Sequence, residues 1–232
     1  MAKKRSYGRG LAFVKAGFEA CWTNANDLVR SGEILLNGDL HAPALSLSVL
    51  ALEEMGKLFL IDGLLFANGV GDKSDIFQQG LRRHNIKLEA MTMISSLAVR
   101  VARTDPRFET DETFKVKLRI GHENWKCCGQ NVLDIAGETD FQFLDGWKQK
   151  GFYVGVSNRN QLEPPMATID RDVTDVVFRF AQISKINLDF ALGNGNIQRY
   201  FDIAQSIRSK FSEEQHKILE EKAEILFSNQ KI

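Results

Sequence analysis

Glu53, Glu54 and Lys57 stand in "ALEEMGKLFLIDGLLF", Ala51 to Phe66, a stretch that is otherwise almost wholly apolar. A buried charge without a partner costs several kcal/mol. Glu53 and Lys57 are one helical turn apart, in the order that favours an ion pair. Both fall in the sector of Leu50, Ile61 and Leu64, while Glu54 points to a different sector among leucines. Further on, "RRHNIK", Arg82 to Lys87, puts His84 on the helical stripe of Phe77, Leu81, Leu88, Met91, Ser95 and Ala98. Lys87 lies at the edge of that stripe, and Arg82 and Arg83 point outward. The bland interpretation is a salt bridge and a satisfied histidine at a helix seam. The sharper one is a polar site inside a bundle, where desolvation shifts proton affinities. There His84 would take a proton from a 2′-hydroxyl or give one to a leaving oxygen near neutral pH. Lys57 and Lys87 would stabilise phosphate charge, and Glu53 would tune its neighbours. A metal on Glu53, Glu54 and His84 is a third arrangement. Lys57 and Lys87 repel a cation there and no repeated Glu-x-x-His pattern is present, so no metal and no cofactor is expected.

These residues need helices to hold them. Four prolines, Pro43, Pro106, Pro164 and Pro165, leave long segments with helical spacing. The spacing predicts a first helix over Leu11 to Leu36, broken by "NGD" at Asn37 to Asp39. A second follows, with Pro43 in its first turn, and ends near Asn68. It is apolar almost all round, which predicts a central position. A third is expected from a cap at Asp75 to Arg103, packed antiparallel on the second. A loop over "RTDPRFETD" and a fourth helix from Asp111 to Ala136 come next. The segment 146–165, "GWKQKGFYVGVSNRNQLEPP", reads as irregular with a β-prone "FYV". Helices then cover Asp170 to Leu192 and Asn196 to Lys210, with a last one opening on "SEEQ", Ser212 to Gln215. "GNGN", Gly193 to Asn196, follows no strand and reads as a turn rather than a phosphate loop. Trp22, Trp125 and Trp147 read as core or seam.

Bulk composition narrows the function classes. Of 232 residues, 44% are hydrophobic and 26% charged, which suffices for a good-sized core. Lys plus Arg and Asp plus Glu are each 30, so no global field attracts nucleic acid or anionic lipid, and any such site is a local patch. Cys21, Cys127 and Cys128 form neither a disulfide framework nor a Cys-x-x-Cys metal pair, and read as reduced structural thiols in a cytoplasmic protein. The basic "MAKKRSYGRG" start has no apolar signal core behind it. The apolar run from Ala44 to Val70 carries Glu53, Glu54, Lys57 and Asp62, which argues against a membrane span.

"NANDLVRSGEILLNGDLHAPALSLSVLALEEMGK", Asn24 to Lys57, followed by "RRHNIK", resembles the AbiV family of bacterial abortive-infection proteins in the HEPN superfamily. The specific parts are Glu-Glu-x-Gly-Lys after an Ala/Leu-rich run and the later His-x-x-Lys. "KQKGFYVG", Lys148 to Gly155, is similar to the family's segment ahead of its proline-containing loop. The resemblance covers about Ala20 to Pro165. It implies an all-α, HEPN-like antiparallel bundle over residues 1–165, with 166–232 as a C-terminal helical extension packed on it or part of one domain. It implies antiphage defence, triggered by a phage-encoded activator and directed at RNA or a ribosome-associated target so that translation is inhibited. A metal-independent ribonuclease working as a homodimer is the form common in the superfamily. The superfamily's signature is Arg, four to six residues, then His. Here Arg83–His84, Arg119–His122 and Arg208–His216 have other spacings. The resemblance adds Tyr153 to the candidate catalytic set Glu53, Glu54, Lys57, His84 and Lys87. The competing class is a non-catalytic binding or regulatory protein whose buried polar cluster is structural.

Overall fold

The helix that carries Glu53 runs from His41 to Phe66 and is apolar on every side, so burial is favourable only if other helices surround it. A computed structural model of the protein describes residues 7–66, 82–153, 155–156, 162–163, 169–193 and 196–210. In chain order these form α1 (Tyr7–Asn37), α2 (His41–Phe66), α3 (His84–Met91), α4 (Ile94–Ala102), α5 (Arg107–Thr110), α6 (Glu112–Ala136), α7 (Phe143–Phe152), β1 (Gly155–Val156), β2 (Leu162–Glu163), α8 (Arg171–Leu192) and α9 (Asn196–Arg208). The fold is all-α, with one antiparallel pair of two-residue strands among the described residues. α2 packs on α1, α3, α4, α7, α8 and α9. The expected cap at Asp75, the stripe residues Phe77 and Leu81, and the helix opening at Ser212 lie outside the described residues.

Local chemistry sets most of the boundaries. α1 stops where Asp39 adopts a left-handed backbone (φ 57°), with the Leu40 N–H returning to Leu35 O at 2.9 Å. α6 starts on Asp111, whose carboxylate accepts from Phe114 N at 3.1 Å, and stops at Gly137 (φ 68°). Asp170 caps α8 the same way through Asp172 N. The expected third helix is in fact two. The chain tightens into turns at Thr92 and Met93, where Thr92 Oγ1 bonds Glu89 O at 2.6 Å, before α4 begins at Ile94. The expected loop after Arg103 contains the short α5, and the expected irregular segment is helical up to Phe152.

One apolar cluster runs through the bundle from Val14 to Ala204. Phe18 meets Phe201 edge to face, Phe114 stacks on Phe190, and Phe141 and Trp125 lie against Phe180. Trp125 Nε1 donates to Ser184 Oγ at 3.0 Å, and the buried indole is satisfied. Trp22 and Trp147 are half-buried at the edge of this cluster. No helix among the described residues is long and apolar enough to cross a membrane.

Candidate functional site

Two glycines decide how closely other helices approach Glu53. A Cβ on Gly56 would lie 2.0 Å from Lys87 O and 3.1 Å from Met91 N, so only glycine lets the α3 backbone rest on α2. A Cβ on Gly151 would lie 2.0 Å from Ser46 Oγ and 2.5 Å from Ala42 O, so α7 rests on the opposite end of α2 for the same reason. Ser46 Oγ then donates to Lys148 O at 2.8 Å. Each glycine follows its charged residue by three positions, Glu53 then Gly56, Lys148 then Gly151. One helical face therefore carries both the close contact and the charge.

The result is a cluster on the buried Glu53 carboxylate. Lys148 Nζ is 2.5 Å from Oε1, Lys87 Nζ is 3.1 Å from Oε2, and His84 Nδ1 is 2.6 Å from Oε2. The Lys148 and Lys87 ammoniums also lie 3.0 and 3.3 Å from His84 Nδ1. The Glu53 carboxylate offers only acceptors to Nδ1, and in the neutral imidazole that donates to it the lone pair is on Nε2. The His84 side chain is 47% exposed, and among the described residues Nε2 has no hydrogen-bond partner. Asp145, one turn before Lys148 on α7, completes the group with Oδ1 at 2.6 Å from Lys148 Nζ. Burial works to raise the Asp145 carboxyl, but the hydrogen bond and charge of Lys148 hold it below its ordinary value.

Several expectations change. Glu53 does not pair with Lys57: Lys57 bonds Glu54, three residues away, and Glu53 takes longer-range partners instead. The Glu54–Lys57 pair faces Cys21, whose thiol is pushed up to about 12 by burial and then by Glu54, in keeping with a reduced structural thiol. His84 is at the open first turn of α3 rather than on a buried stripe, whereas Lys87 is buried rather than at an edge. Tyr153 sits exposed past the end of α7, its ring 6.4 Å from that of Phe152, and makes none of the cluster's contacts.

Sequence reasoning missed Lys148 and Asp145, because α7 was taken as irregular. The signal was present in Leu144, Lys148 and Gly151, which fall at helical spacing and are all buried. It also missed a second buried carboxylate, Asp62. Its Oδ1 accepts from the Tyr200 hydroxyl and its Oδ2 lies 2.5 Å from Arg100 Nη2. Burial raises the Asp62 carboxyl against the pull of Arg100, and burial together with Asp62 raises the Tyr200 phenol.

No metal was expected, and the ligand set that the geometry offers is not the Glu53, Glu54 and His84 arrangement set aside from the sequence. Glu53, His84 and Asp145, not Glu54, bring ligand atoms within 4.8 Å of one another. Lys148 Nζ touches both carboxylates, so the arrangement already carries its own cation, and a metal would have to displace it.

The HEPN_AbiV family model matches residues 13–185. The chain belongs to the AbiV family. The match runs past Pro165 into α8, further than the motifs alone reached. It contains Glu53, His84, Lys87, Asp145 and Lys148, the whole cluster on α2, α3 and α7. Membership in this HEPN family points to abortive infection and defence. No curated protein and no solved structure matches the chain.

Proposed function

We propose that this AbiV protein acts in the bacterial cytoplasm as an abortive-infection ribonuclease or translation block, with His84 as its proton-transfer group. One observation carries the proposal: a half-exposed imidazole whose Nδ1 lies 2.6 Å from a buried carboxylate and whose Nε2 has no hydrogen-bond partner among the described residues. With the proton on Nδ1 and the lone pair on Nε2, that is the arrangement a general base needs. His84 Nε2 would take the proton of a 2′-hydroxyl as its oxygen attacks the adjacent phosphorus; the P–O5′ bond breaks, a 2′,3′-cyclic phosphate forms, and the leaving 5′-oxygen takes a proton from water or from the His84 imidazolium. Glu53 orients the ring. Lys87 and Lys148 hold Glu53 and so fix the carboxylate that orients the ring. A phage-encoded activator and a homodimeric state belong to this reading, as does a single folded unit. The apolar cluster continuous from Val14 to Ala204 supports the last.

A non-catalytic reading is favoured by a different fact: the Glu53 carboxylate is sealed and has all its partners within the chain. One experiment separates the two. Wild type and His84→Ala are expressed with and without phage, plaques are counted, RNA ends are sequenced and melting is recorded. Because the ring is half-exposed, its loss should cost under about 1 kcal/mol. The expected result is loss of protection with an almost unchanged melting temperature. Protection that falls only in proportion to a lowered melting temperature supports the structural role, and full protection rejects a catalytic one.

A further inference from the structure

Resting on the reading of the site as RNA-directed, we infer that the surface beside His84 binds single-stranded RNA, with Phe152 and Tyr153 as its base-stacking platform and Arg82 and Arg83 as its phosphate contacts. Asp145, Lys148 and Phe152 stand at i, i+3 and i+7 of α7 and therefore share one stripe. His84 packs against the first two, with its Nδ1 3.0 Å from Lys148 Nζ. Phe152 is the next side chain along that stripe, one turn beyond Lys148, about 6 Å along the axis. It is 41% exposed and Tyr153 is 64% exposed, their rings 6.4 Å apart at an interplanar angle of 70°. Two consecutive exposed aromatics at a helix end leave π-faces that a core would have covered. Every base has a π-face, so unpaired bases are the ligand such rings suit.

Charge accompanies the rings in the segment that carries His84. Arg82 and Arg83 are exposed and adjoin it in sequence. Arg83 is the N-cap of α3 and makes no side-chain cap bond. Lys87 and Lys148 are tied to Glu53, so Arg82 and Arg83 are the cations offered to phosphate here. The arginines adjoin the imidazole in sequence, and the aromatic rings follow on the α7 stripe that the imidazole meets, which together define the surface. A strand lying across it would place a phosphodiester at His84 with a base on Phe152 or Tyr153. A duplex keeps its bases stacked on one another and cannot use the platform.

The test uses full-length protein, a short fluorescein-labelled oligouridylate and its duplex with oligoadenylate, followed by anisotropy at two salt concentrations. Single strand should bind at least about tenfold more tightly than duplex. Phe152→Ala with Tyr153→Ala should weaken single-strand binding by roughly five- to hundredfold per stacked base. Phe152→Trp with Tyr153→Trp should retain binding, and the leucine pair should not. Arg82→Ser with Arg83→Ser should flatten the salt dependence. Unchanged binding in the alanine pair, equal affinity for the duplex, or no binding by the wild type would each overturn the inference. Melting curves confirm that these exposed substitutions leave the fold intact. If the alanine pair binds normally while His84→Ala loses protection and the RNA ends change, the platform is wrong and the catalytic reading stands. If the platform binds RNA but the RNA ends in infected cells are unaltered, the catalytic reading fails alone.

Discussion

Glu53 and Asp62 are buried carboxylates on the same helix, and each is neutralised by residues from other helices, yet their partners face water very differently. Glu53 is met by Lys148 and Lys87, whose side chains are 3% and 6% exposed, and by the half-exposed His84. Asp62 is met by the buried Tyr200 hydroxyl and by Arg100, which is 40% exposed and lies over the Phe59 ring at 5.4 Å. If Asp62 loses its charge, Arg100 can turn to water. If Glu53 loses its charge, two ammoniums remain inside the protein. The energetic weight of a buried acid thus depends on whether its cations can leave. Function follows the same division. The Asp62 group joins α2, α4 and α9 and presents no free titratable atom, while the Glu53 group joins α2, α3 and α7 and presents one, His84 Nε2.

Removing the glycine that brings α3 to Glu53 should be the largest blow. In Gly56→Ala the new methyl would overlap the Lys87 carbonyl at 2.0 Å, and backbone cannot swing away as a side chain can. Displacing α3 also strips Glu53 of Lys87 and His84. A loss of about 4 kcal/mol or more is expected in denaturant titration. Gly17→Ala is the control, since its methyl would meet only Ile61 Cδ1 at 3.7 Å and should be neutral or stabilising by up to about 1 kcal/mol. Equal effects for the two glycines would break the claim that close approach builds the site.

Glu53→Gln comes next. It keeps the shape and leaves Lys87 buried without a compensating charge and Lys148 with Asp145 alone, at an expected cost of about 3–5 kcal/mol. Adding Lys148→Met and Lys87→Met should recover most of that loss, because the desolvated ammoniums are then gone. A Glu53→Gln protein as stable as wild type would mean that the lysines escape to solvent, and the contrast with Asp62 would collapse.

How these groups appear in the sequence explains which were legible. α2 announced itself, since a helix apolar all round must be central. His84 meeting Glu53 was legible from the buried carboxylate's need for partners, although the ring sits at the exposed first turn of α3 and not on the apolar stripe that the spacing suggested. The Glu53–Lys57 pair was misassigned because i,i+3 and i,i+4 neighbours are nearly equivalent. Glu54 was the alternative, and what decided between them was Lys148, distant in sequence. Lys148 itself was hidden because Gly146 and Gly151 made α7 look like a turn. Gly151 in fact serves close packing against Ser46 and Ala42, not chain reversal. The break of the third helix at Thr92 is a local side-chain bond competing with the helix, which apolar periodicity does not report.

The smallest effect should come from Asp62→Asn, and its sign with pH sharpens the comparison. The Asn carbonyl can still accept from Tyr200, and Arg100 can resolvate, so stability near neutral pH should stay within about 1 kcal/mol of wild type. Burial raises the Asp62 carboxyl above its ordinary 3.8, so the native state binds this proton more tightly than the unfolded chain does. The resulting stability is fully present below the ordinary carboxyl range and is lost as pH rises through the folded-state value. Other carboxylates held below their ordinary values, such as Asp145, slope the opposite way, so the Asp62 contribution appears as a difference between proteins. Wild type minus Asp62→Asn should therefore fall with rising pH over that window and level off above it, measured by denaturant titrations at closely spaced pH values. A flat difference, or one that rises, would mean that Arg100 stabilises the ionised carboxylate more than burial penalises it. Asp62 would then belong with Glu53, as a charge the fold depends on.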